Sequence, residues 1–391
     1  MAADIVTRVV RSLQDIDVSA WDALIDGADN PFVEHAFLSL LEESGSLGEA
    51  WRPRFVVAER GGALVGATPA YLRSDSYGEF IFDWQFAKAA ERFGVRYYPK
   101  LTVAVPFTPA TGPRLWRAKD DDEALPALLA GLARLERDER CSSTHVLFCD
   151  DGTGALIAGS THGYVRRASL QFHWHNDGYA TFDDFLSRLD HSARKQIKRE
   201  RRRVVEAGLT VEVRQAHEVP TSWWPRLYAL YAGIYDRKWG RPYLTPAFFD
   251  GIARALPERG LVAVARDRSR PADDDVVAMT LSFEKGKHCY GRHWGTDVDV
   301  PGLHFELCYY ALIERAIARG QTLVEAGAQG EHKLKRGYLP TITHSVHRFA
   351  NDAFGGVVAR FFRDEAVAVN DERAALMEHS PFRATSTPTA G

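Results

Sequence analysis

The chain carries the same short strand twice. Val65-Gly66-Ala67-Thr68-Pro69-Ala70-Tyr71 lies in register with Val277-Ala278-Met279-Thr280-Leu281-Ser282-Phe283, an offset of 212 positions (277 − 65). Each stretch is the second arm of an apolar pair. In the first half RFVVAER (54–60) and ALVGATPAYL (63–72) flank Gly61-Gly62, and in the second LVAVAR (261–266) and DVVAMTLSF (275–283) flank a polar SRPADDD loop. Apolar, β-branched runs separated by such turn residues read as β-hairpins. A pair repeated at just over half the chain length favours two similar halves over two unrelated domains. The length points the same way, because 391 residues exceed what one hydrophobic core usually organises. The expected division is an N-terminal domain over 1–180, a C-terminal domain over 181–375, and a flexible tail over 376–391.

The second half continues as an α/β unit. Glu284-Lys285-Gly286-Lys287 is a turn, and HCYGRHWG (288–295) is the returning strand. After a loop of Gly, Pro and Asp, residues 304–319 place Phe305, Cys308, Leu312 and Ala316 on one helical face, with Gly320 as the stop. TLVEAG (322–327) is the next strand. A helix starting beside a sheet presents free N–H groups suited to an anion.

Between the halves, Ser187–Ala207 contains no Pro or Gly before Gly208, which predicts one helix of several turns. Seven basic residues fall within 194–203: Arg194, Lys195, Lys198, Arg199, Arg201, Arg202 and Arg203. Either these cations form a solvated face, or they hold phosphates of tRNA or of a diphosphate head group. The net charge of −3 excludes a chain that coats nucleic acid along its whole length, and leaves such a local patch open.

Cys141, Cys149, Cys289 and Cys308 show no paired spacing and read as reduced, mostly buried thiols of a cytoplasmic protein. The N-terminal MAADIVTRVVRSL lacks the apolar core of a signal peptide, and no run is long enough for a membrane helix. The histidines (His173, His175, His288, His293, His304, His332, His344, His347) match no metal-ligand spacing, so no metal is expected.

Several segments in order along the chain carry a further signal: SYGEFIFDW (76–84), RYYPKL (96–101), PFTPATGPRL (106–115), QFHWHNDGY (171–179), DFLSRLDHSARKQIKRERRRV (184–204), GRHWG (291–295), LHFELCYYALIE (303–314) and EAGAQGEHKLKRGYLP (325–340). Together they resemble the FemAB-like N-acyltransferases of peptidoglycan biosynthesis or recognition. The resemblance implies an α/β (α+β) fold of two GNAT-like domains, each a mixed, mostly antiparallel sheet flanked by helices. It implies transfer of an acyl or aminoacyl group from acyl-CoA or aminoacyl-tRNA, used as co-substrate without a tightly bound cofactor, to a small-molecule or peptide amine. No Q/R-x-x-G-x-G/A loop of the kind that cradles a CoA pyrophosphate is present, which leaves the donor open.

Amide formation needs a neutral amine, a proton acceptor and stabilisation of the tetrahedral oxygen. The segment 325–338 follows a strand and holds Glu325, Glu331, His332, Lys333, Lys335 and Arg336. Glu325 sits at the strand end, and Glu331 or His332 could take the amine proton. Leu334-Lys335-Arg336-Gly337-Tyr338 resembles the F-K-x-G-F segment of FemAB transferases, which implies that Lys335 contacts phosphate or developing charge, with Arg336 beside it. Arg292, His293 and Trp294, followed by His304 and Glu306, form a second substrate-binding group, although Arg292 and Glu306 could equally pair with each other. In the first half, Glu79, Asp83, Tyr98 and Lys100 lie among aromatics, as either a substrate wall or a structural interface requires. Two other readings fit the same residues: a non-catalytic binding module for cell-wall precursors or RNA, and an RNA-binding protein centred on the basic helix.

Overall fold

The structure, a computed structural model, describes residues 4–383 other than Asp26, Lys238, Trp239, Asp273 and Gln329. It divides into two compact units, 1–170 with 243–256 and 342–371, and 171–242 with 257–341 and 372–391. The chain therefore changes unit inside Val165–His175 and again inside Leu339–Phe349. This differs from a single boundary at 180/181. Helix Pro246–Ala255 packs in the first unit, where Phe248 meets Phe37 at 6.0 Å between rings and Thr245 Oγ1 donates to Ser44 O at 2.9 Å. Pairings between segments so remote leave no mark on local periodicity.

In the first unit, Gly61 and Gly62 take positive φ (58° and 85°), and the expected hairpin forms between Phe55–Arg60 and Ala63–Thr68. The sheet runs in the order Ile5–Val10, Phe55–Arg60, Ala63–Thr68, Trp116–Arg117. Beyond Pro69 the strand continues as Ala70–Arg73 in a second sheet, between Trp51–Pro53 and Lys100–Val103. Lys100–Val103 pairs parallel with Ser143–Cys149, which pairs antiparallel with 344–349. Val56, Leu72, Leu101 and Val103 bury against Leu128, Leu129 and Leu132 of helix Ala124–Asp138. Each such side chain contributes about 2 kcal/mol by leaving water.

In the second unit the strand order is Leu209–Gln215, Gly260–Asp267, Val276–Lys285, His288–Thr296, Leu323–Glu325, then 173–175. All neighbours are antiparallel except His288–Tyr290 with Leu323–Glu325. The second hairpin forms as expected, and the repeated strand occupies the same place, the hairpin's second arm, in each unit.

The run expected as one helix over 187–207 is two helices, Phe182–Arg188 and His191–Glu206. Leu189 and Asp190 are extended, and the Asp190 carboxylate accepts from Ala193 N at 2.8 Å, so an N-cap restarts the helix. The second helix buries Ala193, Ile197, Glu200 and Val204.

The helix expected over 304–319 is interrupted. Leu303–Phe305 is α-helical, Glu306–Tyr310 is a π turn, and Ala311–Ala318 is α again before Gly320 at φ 62°. The extra residue per turn rotates the expected face: Leu307, Tyr309 and Tyr310 are buried, whereas Phe305 and Cys308 are half-buried. Tyr309, Tyr310, Leu312 and Ala316 pack with Trp174, Phe185, Ile197 and Val324.

The expected tail is partly ordered. Helix Asp352–Glu378 includes its first residues, Asp190 N donates to Pro381 O at 2.7 Å, and Phe382 packs against the Phe185 cluster. Residues 384–391 of that expectation lie outside the described residues. No helix among the described residues is long and apolar enough to cross a membrane.

Candidate active site

A parallel step in the second unit's sheet is also where that sheet opens. Pairing between the neighbouring strands is confined to His288–Tyr290 and Leu323–Glu325, after which the strands diverge. On its other edge, His288–Thr296 changes register between Leu281↔His293 and Ser282↔Gly291, leaving Arg292 as a bulged residue. A bulge bends its strand and re-aims the extra side chain. Gly295 completes the curve. A Cβ there would lie 2.3 Å from the Leu230 backbone of helix Trp224–Arg237, so only glycine fits.

A cavity of about 110 Å³ occupies the fork. Arg292, His293, Trp294, His304, Cys308 and Tyr309 face it, with Thr280, Ser282 and Ala326. Four of these are residues that the sequence singled out, and the fold brings them together. Trp294 and His304 meet edge-on at 5.3 Å, and His304 meets Tyr309 at 5.5 Å. Thr280 Oγ1 and Ser282 Oγ are buried with no hydrogen-bond partner among the described residues. Orphaned hydroxyls are uncommon in a closed core, and here they face a space that a ligand can fill.

The π turn sets Tyr309 in the wall. Its hydroxyl lies 2.9 Å from His332 Nε2, and burial holds its acidity well below that of an ordinary tyrosine. His332 follows Gly330, whose φ of 119° brings the chain so close that a Cβ would lie 2.6 Å from the imidazole. Burial, then Arg336 and Lys333, lower the His332 pKa, so the ring is neutral near pH 7.

Behind the wall lies Lys333, 2% exposed. Its Nζ donates to Gly327 O at 2.9 Å. Burial is the main cause of a pKa lowered to about 7. The bulged Arg292 lowers it further, and Cys308 acts in the opposite sense. The sequence includes Lys333 in the charged segment but gives it no role, and burial distinguishes it from Lys335.

Other expected site residues fall elsewhere. Lys335 is exposed, so the lysine at the F-K-x-G-F position does not line the cavity. Glu331 is exposed as well. Arg336 is enclosed: it pairs with buried Glu200 at 2.7 Å, donates to His332 O at 2.7 Å, and stacks 3.3 Å over Phe305. Glu306 pairs with Arg201 at 3.1 Å. Glu325 is buried one residue behind Ala326, 3.9 Å from His173 Nε2, and burial holds His173 at about 3. These last three serve the architecture behind the site, not its surface.

The first-unit candidates require correction. Lys100 Nζ lies 2.6 Å from Glu79 and 2.5 Å from Asp83, and the three side chains are 0%, 0% and 1% exposed. Arg73, Tyr97 and Thr102 complete the network. Charges so enclosed persist because each is paired, so Glu79, Asp83 and Lys100 form a structural ion cluster and no substrate wall. Tyr98 lies at its edge, with its hydroxyl 2.8 Å from Ser76 Oγ. The first unit's own parallel step, Leu101–Val103 beside Thr144–Val146, is closed by Arg114, fully buried and bonded to Leu147 O and Ala110 O.

None of the cysteines is poised as a nucleophile. Burial raises Cys149 to about 11 and Cys141 to about 12, and raises Cys289 and Cys308 as well.

A family profile described as peptidoglycan biosynthesis/recognition, FemAB-like, matches residues 12–384. The chain belongs to the FemAB-like family. Among solved structures it is similar to FemX (TM-score 0.54, 12% identity, 88% of this chain and 98% of that one). It is also similar to L-PGS from Bacillus licheniformis (0.53, 12%, 88% and 97%). These likenesses establish the shared fold, the pair of GNAT-like domains implied by the sequence. Among proteins of curated function, none matches this chain in sequence.

Proposed function

We propose that this FemAB-like protein transfers an acyl or aminoacyl group to an amine at the fork of its second unit. The observation that carries the reading is Tyr309, in the wall of a cavity with unsatisfied hydroxyls, whose own hydroxyl lies 2.9 Å from Nε2 of His332, an exposed residue outside the cavity lining. Its chemistry matches what aminolysis requires. As the amine nitrogen bonds to the donor's carbonyl carbon, its proton passes to Tyr309 Oη while the tyrosine proton moves to His332 Nε2. As the bond to the leaving oxygen or sulfur breaks, the proton returns to that atom. Arg292 and Lys333 supply positive potential where the carbonyl oxygen becomes negative.

Ligand pockets usually exceed about 300 Å³, so a cavity of about 110 Å³ takes the reacting ends and leaves the body of the donor outside. Helix His191–Glu206 of the same unit offers a surface for it. His191, Arg194, Lys195, Lys198, Arg199 and Arg202 line one groove. At about 1.5 Å per residue this stripe is about 16 Å long, enough for several successive phosphates and longer than one diphosphate. Arg201 is not part of it, being paired with Glu306 and Glu314. The stripe favours aminoacyl-tRNA over acyl-CoA as donor, and the family favours an amine of a peptidoglycan precursor as acceptor.

The test is transfer of a labelled group to an amine-bearing precursor peptide from charged tRNA and, separately, from acyl-CoA. Transfer from charged tRNA that falls at least about 100-fold in Tyr309→Phe supports the reading. Transfer from acyl-CoA alone reassigns the donor. No transfer from either, with tight binding of the precursor, makes the protein a binding module.

A further inference from the structure

The first unit contains an open cavity of about 290 Å³, bordered by three chain turns. The segment 95–98 follows helix Trp84–Arg92, residues 140–142 leave helix Ala124–Asp138, and residues 349–354 connect strand Leu339–Phe349 to helix Asp352–Glu378. Its floor is apolar: Tyr97, Phe349 and Phe354 are buried, with Phe349 and Phe354 edge-on at 5.4 Å. The rim carries Arg96 and Arg140, both exposed and neither with an ion-pair partner among the described residues.

The backbone at Arg140 is the second observation. Helix Ala124–Asp138 ends with Cys141 N donating to Glu136 O at 2.9 Å and Arg140 N to Arg137 O at 3.1 Å, a closure that puts Arg140 at φ 52°. Helices ending at Glu43, Arg92, Glu206 and Ala318 place glycine at the equivalent left-handed position: Gly45, Gly94, Gly208 and Gly320. Arginine there carries a conformational penalty that glycine avoids, and the local geometry gives it no compensating bond. Its guanidinium, however, lies on the rim of a cavity with a second arginine.

We infer that this cavity is a binding site for a small organic anion, with its carboxylate or phosphate between Arg96 and Arg140 and its apolar body on the Tyr97, Phe349 and Phe354 floor. The volume suits a ligand about the size of an aromatic amino acid. Two guanidinia bind either anion, and the aromatic floor selects for the apolar body attached to it. The site is independent of the transfer reaction, since all its residues lie in the first unit and the fork lies in the second.

Isothermal titration of the full chain with 3-phenylpropionate, phenyl phosphate and the neutral 3-phenylpropionamide tests the inference. The expected result is saturable binding of at least one anion, about tenfold or more tighter than the amide, because the charged contact distinguishes them. The two anions separate a carboxylate site from a phosphate site. Arg96→Gln and Arg140→Gly should each weaken the anion about tenfold or more. Arg140→Gly removes the guanidinium and relieves the strained backbone together, so its unfolding midpoint should hold or rise, and lost binding cannot then be ascribed to misfolding. Equal affinity for the amide, unchanged affinity in both variants, or no saturable binding of either anion up to about 10 mM would overturn the assignment.

Discussion

Replacing Lys333 by methionine should stabilise the protein at neutral pH and impair it as a catalyst. In the unfolded chain this amine has its ordinary pKa of 10.5, whereas burial holds it at about 7 in the folded state. A lysine whose folded pKa is depressed binds fewer protons folded than unfolded between those two values, so stability rises with pH across that window and is flat below it. At about 1.4 kcal/mol per pH unit, the penalty is about 4 kcal/mol at pH 7 and falls below about 1 kcal/mol at pH 10. Methionine has a similar length and no charge, and its introduction removes the penalty. It also leaves Gly327 O without the amine donor, a loss of about 1 to 2 kcal/mol at any pH.

The net expectation is a gain of about 2 to 3 kcal/mol at pH 7, fading to zero or a small loss near pH 10. Urea unfolding of both proteins at pH 7, 8.5 and 10 reads this directly. In the transfer assay the rate should fall most at or below pH 7, where the amine is charged, and the difference from the parent should shrink towards pH 10, because the positive potential behind Arg292 and Cys308 is present only in the protonated form. A variant less stable than the parent by the same amount at all three pH values would refute the reasoning. Lys333 would then be a structural donor whose amine titrates normally, and its place in the site would have to be abandoned.

Other perturbations separate the site from its supports. Arg336→Ala strands the buried Glu200 carboxylate and should cost about 3 to 5 kcal/mol in urea unfolding. Lys335→Ala, at an exposed position, should shift stability by less than about 0.5 kcal/mol and leave transfer near the parental rate. Charge neutralisation at Arg194, Lys198 and Arg202 should weaken tRNA binding and flatten the slope of log affinity against log salt by about 2 in a filter-binding series. Lys100→Met leaves buried Asp83 without its cation and Glu79 with Arg73 alone, and should cost about 3 to 5 kcal/mol, read by the same unfolding assay.

What the sequence disclosed and what it hid divide along physical lines. The two hairpins, the return strand and the basic helix were legible because strand alternation, turn residues and charge runs are local. Arg292, His293, Trp294 and His304 were also legible as a group, since they flank one loop between a strand and a helix. Burial was not. Lys333, Lys335 and Arg336 lie within four positions, and nothing in their order says that the short helical turn Glu331–Arg336 hides the first and third and exposes the second. The structure supplies the reason: burial of 333, 334, 336 and 337 around exposed 335 follows from a tight turn packed on Phe185, which Gly337 touches so closely that a Cβ would meet it at 2.9 Å. The polar stretch over 79–100 misled for the opposite reason. Aromatics mixed with charges describe a ligand wall and a buried ion cluster equally well, and only the distances from Lys100 to its two carboxylates decide between them.

The repeat itself poses the remaining question, why the proposed chemistry falls in one of two similar units. Both contain a parallel step between strands, and a diverging parallel pair exposes backbone groups that something must satisfy. In the first unit the protein satisfies them internally: Arg114 lies fully buried and donates to the carbonyls of Leu147 and Ala110, and Gly112 bridges to Cys149. In the second unit two local distortions hold the corresponding space open. The bulge at Arg292 turns one strand aside, and the π turn at Glu306–Tyr310 brings Tyr309 into the wall. Each departs from the regular geometry of its element, and the hydroxyls of Thr280 and Ser282 remain unsatisfied beside them. The first unit has its own register shifts, at Ala58/Glu59 and His344/Val346, but its parallel step is filled by Arg114, whereas the distortions of the second unit fall on residues that face an open cavity, and that places the fork under a requirement other than folding.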